Sequence, residues 1–211
     1  MIKEVCVENF TNVPEIIRHG ADRIELCDNL SVGGTTVSEG VLKKTIEFCR
    51  WEDVSVMVII RPRGGDYVYS DLEKDIMLAD IEAAIKAGAS GIVIGALTRE
   101  NKLDEPFLTK VSSVIKKENM ALTFHMAFDE IADENQKEAI DWLAENHFDR
   151  ILVHGGPLDQ TIEDNFKKLR KFVEYADDRI IILPGGGVTL ANRAKVVEEL
   201  GVNEVHGTKV V

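Results

Sequence analysis

Apolar and polar positions follow two different periods along this chain, and the two periods take turns. Short apolar runs such as Val54-Ser55-Val56-Met57-Val58-Ile59-Ile60 read as buried strands. Between such runs, apolar residues recur at helical spacing over segments of about 10–17 residues. Eight strands are expected, at 3–7, 23–27, 55–60, 91–94, 121–125, 150–154, 180–183 and 204–206. Strand and helix in succession imply parallel pairing through helical crossovers. Eight such units in 211 residues predict an α/β chain with one domain, 1–211, folded as a TIM-type (β/α)8 barrel. Only five residues lie beyond the last expected strand, so most or all of the eighth helix is expected to be missing. The bare flank this leaves calls for cover by a partner subunit or an N-terminal segment, and a homodimer is expected.

The helix expected after residue 70 has a legible start. Ser70 and Glu73 have the spacing of a capping box, and Leu72, Ile76, Met77, Ile81, Ala84 and Ile85 are expected to share its buried face.

Strand parity turns the same pattern into a set of inward side chains. The face toward the helices has to be apolar, and successive side chains alternate between faces. Val5 and Val7 then face outward, leaving Glu4, Cys6 and Glu8 inside; Ile24 and Leu26 leave Arg23, Glu25 and Cys27 inside. Arg61, Thr123, His125, Glu204 and His206 point inward by the same rule. Ionisable groups in a barrel interior are costly unless they are paired or used, so a site is expected near the C-terminal ends of the strands.

Three loops add candidate chemistry. Arg61-Pro62-Arg63-Gly64-Gly65-Asp66 comes after the third strand and suits an anionic or sugar-like small molecule, with Arg61, Arg63 and Asp66 as its contacts. His125 ends the fifth strand, with Asp129 four residues on to orient its ring, and makes a general acid/base candidate. Gly185, Gly186 and Gly187 come after the seventh strand, ahead of a helix expected to open near Thr189, and offer bare amides to a phosphate or carboxylate. Glu204 is placed with the substrate contacts, and Glu25, Arg61, His125, Asp129 and His206 with the catalytic groups.

Composition narrows the partners. A net charge of −12 repels nucleic acid and anionic membrane surfaces, and no long basic run offsets it. No apolar stretch has the length of a membrane span and no signal region opens the chain, so a cytoplasmic protein is expected. Three cysteines, an odd number, do not make a disulfide framework. Cys6 and Cys27 each lie two residues past an inward carboxylate on adjacent strands, and a pair of thiolates there suits a soft ion, copper as Cu(I). Cys49 reads as packing.

With these residues in place, the chain resembles the CutC family of copper homeostasis proteins. The matching phrases are Gly20-Ala21-Asp22-Arg23-Ile24-Glu25-Leu26-Cys27, Gly33-Gly34-Thr35-Thr36, the loop from Ile60 to Asp66 with Tyr69-Ser70-Asp71, Thr123-Phe124-His125 with Ala127-Phe128-Asp129, and Glu204-Val205-His206. The resemblance implies a cytoplasmic, copper-binding TIM-type barrel linked to copper tolerance, in which Cys27 matches a cysteine proposed as a copper ligand. The chain departs from the pattern at Met126, where an arginine is common, and in ending at Val211. Two readings result. One is a copper protein using Cys27 and Cys6; the other is an acid/base enzyme acting on a small anionic or phosphorylated substrate.

Overall fold

A computed structural model describes all residues from 1 to 211. Its eight strands are β1 Ile2–Glu8, β2 Arg23–Cys27, β3 Ser55–Ile59, β4 Gly91–Ile94, β5 Ala121–Phe124, β6 Arg150–Val153, β7 Ile181–Pro184 and β8 Glu204–Gly207. They alternate with α1 Val13–Arg18, α2 Glu39–Trp51, α3 Asp71–Ala87, α4 Glu105–Lys117, α5 Gln136–Glu145, α6 Phe166–Ala176 and α7 Arg193–Leu200. All pairings are parallel, in the order β7-β6-β5-β4-β3-β2-β1-β8. β7 and β8 lie in contact at the seam, and just beyond it a Thr189–Lys209 bridge ties the two chain segments together. The fold is therefore a (β/α)8 barrel with a reduced final unit, as the alternating periods predict.

Two apolar clusters reflect strand parity. The large one, between strands and helices, holds Val5, Val7, Ile24, Leu26, Val56 and Val58. The small one lies inside the barrel and consists of Cys6, Cys27, Met57, Ile59 and Val93. Side chains one residue apart on a strand thus belong to different cores, because the pleat sends them to opposite faces.

α3 shows how an element begins and ends. The Ser70 hydroxyl accepts the Glu73 amide at 3.3 Å while the Glu73 carboxylate accepts the Ser70 amide at 2.7 Å. Gly88 closes the helix with φ of 83°, a left-handed conformation suited to glycine. The buried face needs one correction: Met77, Ile81 and Ala84 face the core, but Leu72 is 76% exposed and Ile76 52% exposed. At about 100° per residue, positions 72 and 76 lie roughly a third of a turn away from 77, 81 and 84.

The flank left without an eighth helix is also better covered than expected. Val205, the outward side chain of β8, is fully buried within the outer core that includes Val196 and Leu200 of α7. The last residues cross the seam as coil, with Val210 buried, the Leu190 amide donating to the Lys209 carbonyl at 2.6 Å and the Arg193 guanidinium donating to the Val210 carbonyl.

Candidate functional site

The barrel interior is built in layers. At its floor, Arg23 at the start of β2 donates to Glu4 of β1 and, at 2.5 Å, to Glu204 of β8. Arg150 at the start of β6 donates to Glu204 at 2.7 Å. Two guanidinium groups face two carboxylates, so the layer neutralises itself and leaves no charge over for a ligand. Glu204 was expected among the contacts at the mouth, yet it opens its strand opposite Ile2 in register and lies in this floor. Parity sets which way a side chain points, not its height in the barrel.

His206, two residues further along β8, rises above the floor. Its Nδ1 lies 2.8 Å from Glu4 Oε1 and its Nε2 3.4 Å from Glu25 Oε2. Burial favours the neutral ring, but the charge of Glu25 and the hydrogen bonds to Cys6 and Glu4 outweigh it and raise the imidazole well above its usual range. Burial likewise opposes ionisation of Glu4, yet its hydrogen bond to His206 and the Arg23 charge hold it down at about 2.

Cys6 and Cys27 complete this layer, with their sulfurs 3.5 Å apart. Register explains the approach: Cys6 sits opposite Glu25 and Cys27 opposite Glu8, so the two thiols lie on a diagonal of adjacent strands. Ligand atoms of Cys6, Glu25 and Cys27 all fall within 4.8 Å of one another. The hydrogen bond between the thiols lowers Cys6 to about 5 and pushes Cys27 well up. Burial, with the Cys6 charge second, raises Glu25. Cys49 lies elsewhere, fully buried on α2 in the outer core, where burial pushes its thiol up to about 11.

Above the thiols opens a cavity of about 490 Å3, lined among others by Glu25, Arg61, Tyr67, His125 and His206. The His125 Nδ1 accepts the Ala127 amide at 3.2 Å, which leaves the proton of the neutral ring on Nε2. That atom is buried and has no partner in the protein. Burial and then the charge of Arg61 push this histidine down to about 3, so the ring is neutral near pH 7. Met126 also lines the cavity and adds no charge to it.

Several residues picked from the sequence are engaged away from this cavity. The Asp129 carboxylate does not reach the His125 ring; it accepts the His154 amide at 2.9 Å and the Gly155 amide at 2.8 Å, tying a turn to the end of β6. Arg63 donates to Glu73 at 2.5 Å and to the Val68 carbonyl at 2.9 Å, and pairs with the exposed Asp66 at 3.0 Å. Both residues of that pair brace the loop ahead of α3. Arg61 does line the cavity, but its guanidinium donates to the carbonyls of Val32, Gly34 and Gly65 at 2.7, 2.9 and 2.9 Å. It lies 4.9 Å from the centre of the Tyr67 ring and fastens two loops over the mouth. A lone loop sequence cannot distinguish an arginine held by carbonyls from one free for a ligand.

Of the three loop glycines, Gly186 and Gly187 line the cavity. At Gly185 an added Cβ would lie 2.5 Å from Leu152 Cδ1, so that glycine serves close packing. The next helix, α7, opens at Arg193 with Asn192 at its N-cap, so the glycines are separated from its N-terminus. Tyr67, Thr189 and Lys209 also line the cavity but were not singled out in the sequence. Lys209 lies in coil beyond β8, where strand parity gives no signal.

The model of the CutC family matches residues 1–211. This chain belongs to the CutC family. It is 54% identical over 211 residues to the family protein CutC of Enterococcus faecalis, covering 100% of each. A Homo sapiens relative named copper homeostasis protein cutC homolog is 38% identical over 205 residues, 97% of this chain and 72% of the relative. The crystal structure of a CutC from Streptococcus agalactiae superposes with a TM-score of 0.96 at 41% identity, over 100% of both chains. The resemblance read from the motifs of the sequence thus extends over the whole CutC fold.

Proposed function

We propose that this CutC-family protein takes part in copper homeostasis in the cytoplasm by accepting Cu(I) between Cys6 and Cys27. The observation that carries the reading is the pair of sulfurs 3.5 Å apart at the base of an open cavity. Soft, polarisable sulfur is the donor that Cu(I) prefers, and the names of the relatives point to the same metal. Copper is cargo here. Ligand thiols lose their protons on binding, and the Glu25 carboxylate, near both sulfurs, is the acceptor at hand for the proton leaving Cys27. No helix is long and apolar enough to cross a membrane, which accords with a cytoplasmic site of action.

An anaerobic Cu(I) titration against a chromogenic chelator tests the proposal. Outer partners of metal ligands are worth about 10–100-fold in affinity, so removing a ligand in Cys27→Ser should cost about a hundredfold or more. Cys49→Ser should bind as the native chain does. Equal binding by the native chain and Cys27→Ser would remove the thiol pair from copper handling.

The homodimer belongs to the same proposal, with a different surface from the one the sequence suggested. Leu72 and Ile76, one turn apart at the start of α3, are 76% and 52% exposed, an apolar pair that a second copy would cover. Sedimentation at micromolar concentration should give twice the chain mass, and Leu72→Lys with Ile76→Lys should give the single chain. A native chain that sediments as a monomer refutes the dimer.

A further inference from the structure

Copper capture leaves most of the cavity above the thiols without a purpose. Its β7–β8 side carries an unusual set of free donors. The amides of Gly186, Gly187 and Val188 donate to no acceptor in the protein. Gly186 and Gly187 have φ of 77° and 90°, two successive left-handed residues that turn the chain where it borders the cavity. Lys209 stands beside them, exposed and in no ion pair.

A second observation comes from the end of β5. The Nε2–H of His125 is buried without a partner, on a residue only 4% exposed that lines the same cavity. A buried donor left unpaired costs about 1–3 kcal/mol, a penalty relieved when a ligand oxygen accepts from it. The ring cannot retreat, because an added Cβ on Gly95 would lie 2.4 Å from its Cε1 and the Ala127 amide holds its Nδ1.

Charge and volume define the class of ligand. The whole chain has 37 acidic against 25 basic residues, yet Glu25 is the one carboxylate lining the cavity, against Arg61 and Lys209. A space of about 490 Å3 is within the usual range for small-molecule sites, about 300–1,000 Å3. Successive free amides beside an ammonium group match an oxygen-rich dianion better than a flat carboxylate.

We infer that the cavity binds a small organic phosphate monoester, its phosphate held by the Gly186–Val188 amides and Lys209 and its organic end accepting a hydrogen bond from His125 Nε2. The ligand lies above the thiols and makes no use of a metal. Tyr67 covers it from the third loop, with Arg61 fixing that loop in place.

A 15N NMR titration of the full, copper-free chain with glycerol 3-phosphate tests this. Saturable shifts are expected at the amides of Gly186, Gly187 and Val188 and at the His125 ring nitrogen, with none from glycerol. Lys209→Glu reverses a charge at an exposed position and should weaken binding by about tenfold or more. His125→Gln should weaken glycerol 3-phosphate while leaving inorganic phosphate binding intact, because only the ester has the second end. Absence of saturable shifts at the three amides, unchanged affinity in Lys209→Glu, or equal binding of glycerate overturns the assignment. Because no copper is present, the result is separate from that of the Cu(I) titration.

Discussion

Arg23→Leu is expected to destabilise the protein by about 3 kcal/mol, the lower end of the cost of removing one partner from a buried ion pair. Arg23 is 5% exposed and holds both Glu4 and Glu204, which are 1% and 5% exposed. Without it, Glu4 keeps only His206 and Glu204 keeps only Arg150, so each carboxylate loses a donor but neither is left bare. That residual pairing places the expected cost at the lower end. A surface pair gives the contrast: the Lys43 and Glu39 side chains are 61% and 69% exposed, and Lys43→Leu should cost less than about 1 kcal/mol. Urea unfolding of both variants at pH 7 measures the difference. A loss below about 1 kcal/mol in Arg23→Leu would mean that the floor is not the buried network described.

Acid should remove a similar amount through Glu4 alone. The carboxyl is held down at about 2 in the fold against an ordinary value of 4.5. A group with a depressed folded value contributes stability that is complete above 4.5 and disappears as pH falls toward 2. The gap is worth about 3 kcal/mol. His206, raised in the fold, adds no slope in this window, since it is protonated whether the chain is folded or not; Glu25, also raised in the fold, favours the folded state as pH falls through its ordinary value of 4.5 and so offsets part of the loss at the upper end. Glu204, held down by Arg150 and Arg23 against the effect of burial, adds to the loss with the same sign. Urea midpoints measured from about pH 5 to about pH 2.5 should therefore fall steeply for the native chain and less steeply for Glu4→Gln. Parallel acid limbs would assign the loss to other carboxylates.

Both predictions concern residues that the sequence placed inside the barrel, and the depth of that reading varies along the chain. Eight strands were legible to within about a residue at most ends, because a run such as Ser55–Ile59 is apolar on both faces and bounded by turn residues. The inward positions of Cys6, Glu25, Cys27 and His206 were legible as well. His125 could be assigned to the cavity although its strand ends at Phe124, since one residue of overrun preserves the direction.

Partners were the harder matter. Asp129 is near His125 in sequence but turns to the amides of His154 and Gly155, which belong to the next βα unit. Arg61 and Arg63, equivalent in the sequence, diverge because one extends over the mouth and the other turns toward Glu73 on α3. The free amides of the Gly186 loop depended on where α7 begins, and Lys209 on where the chain crosses the seam.

The sequence by itself therefore determined the order of elements and the face of each strand, because a pleat of period two and a helix of 3.6 residues per turn are local properties that neighbouring residues report. Only the tertiary structure decided height within the barrel, as with Glu204 in the floor and His206 above it, and which donors remained free. Those depend on the stagger between strands and on contacts made by residues far apart in the chain, and no local period encodes either.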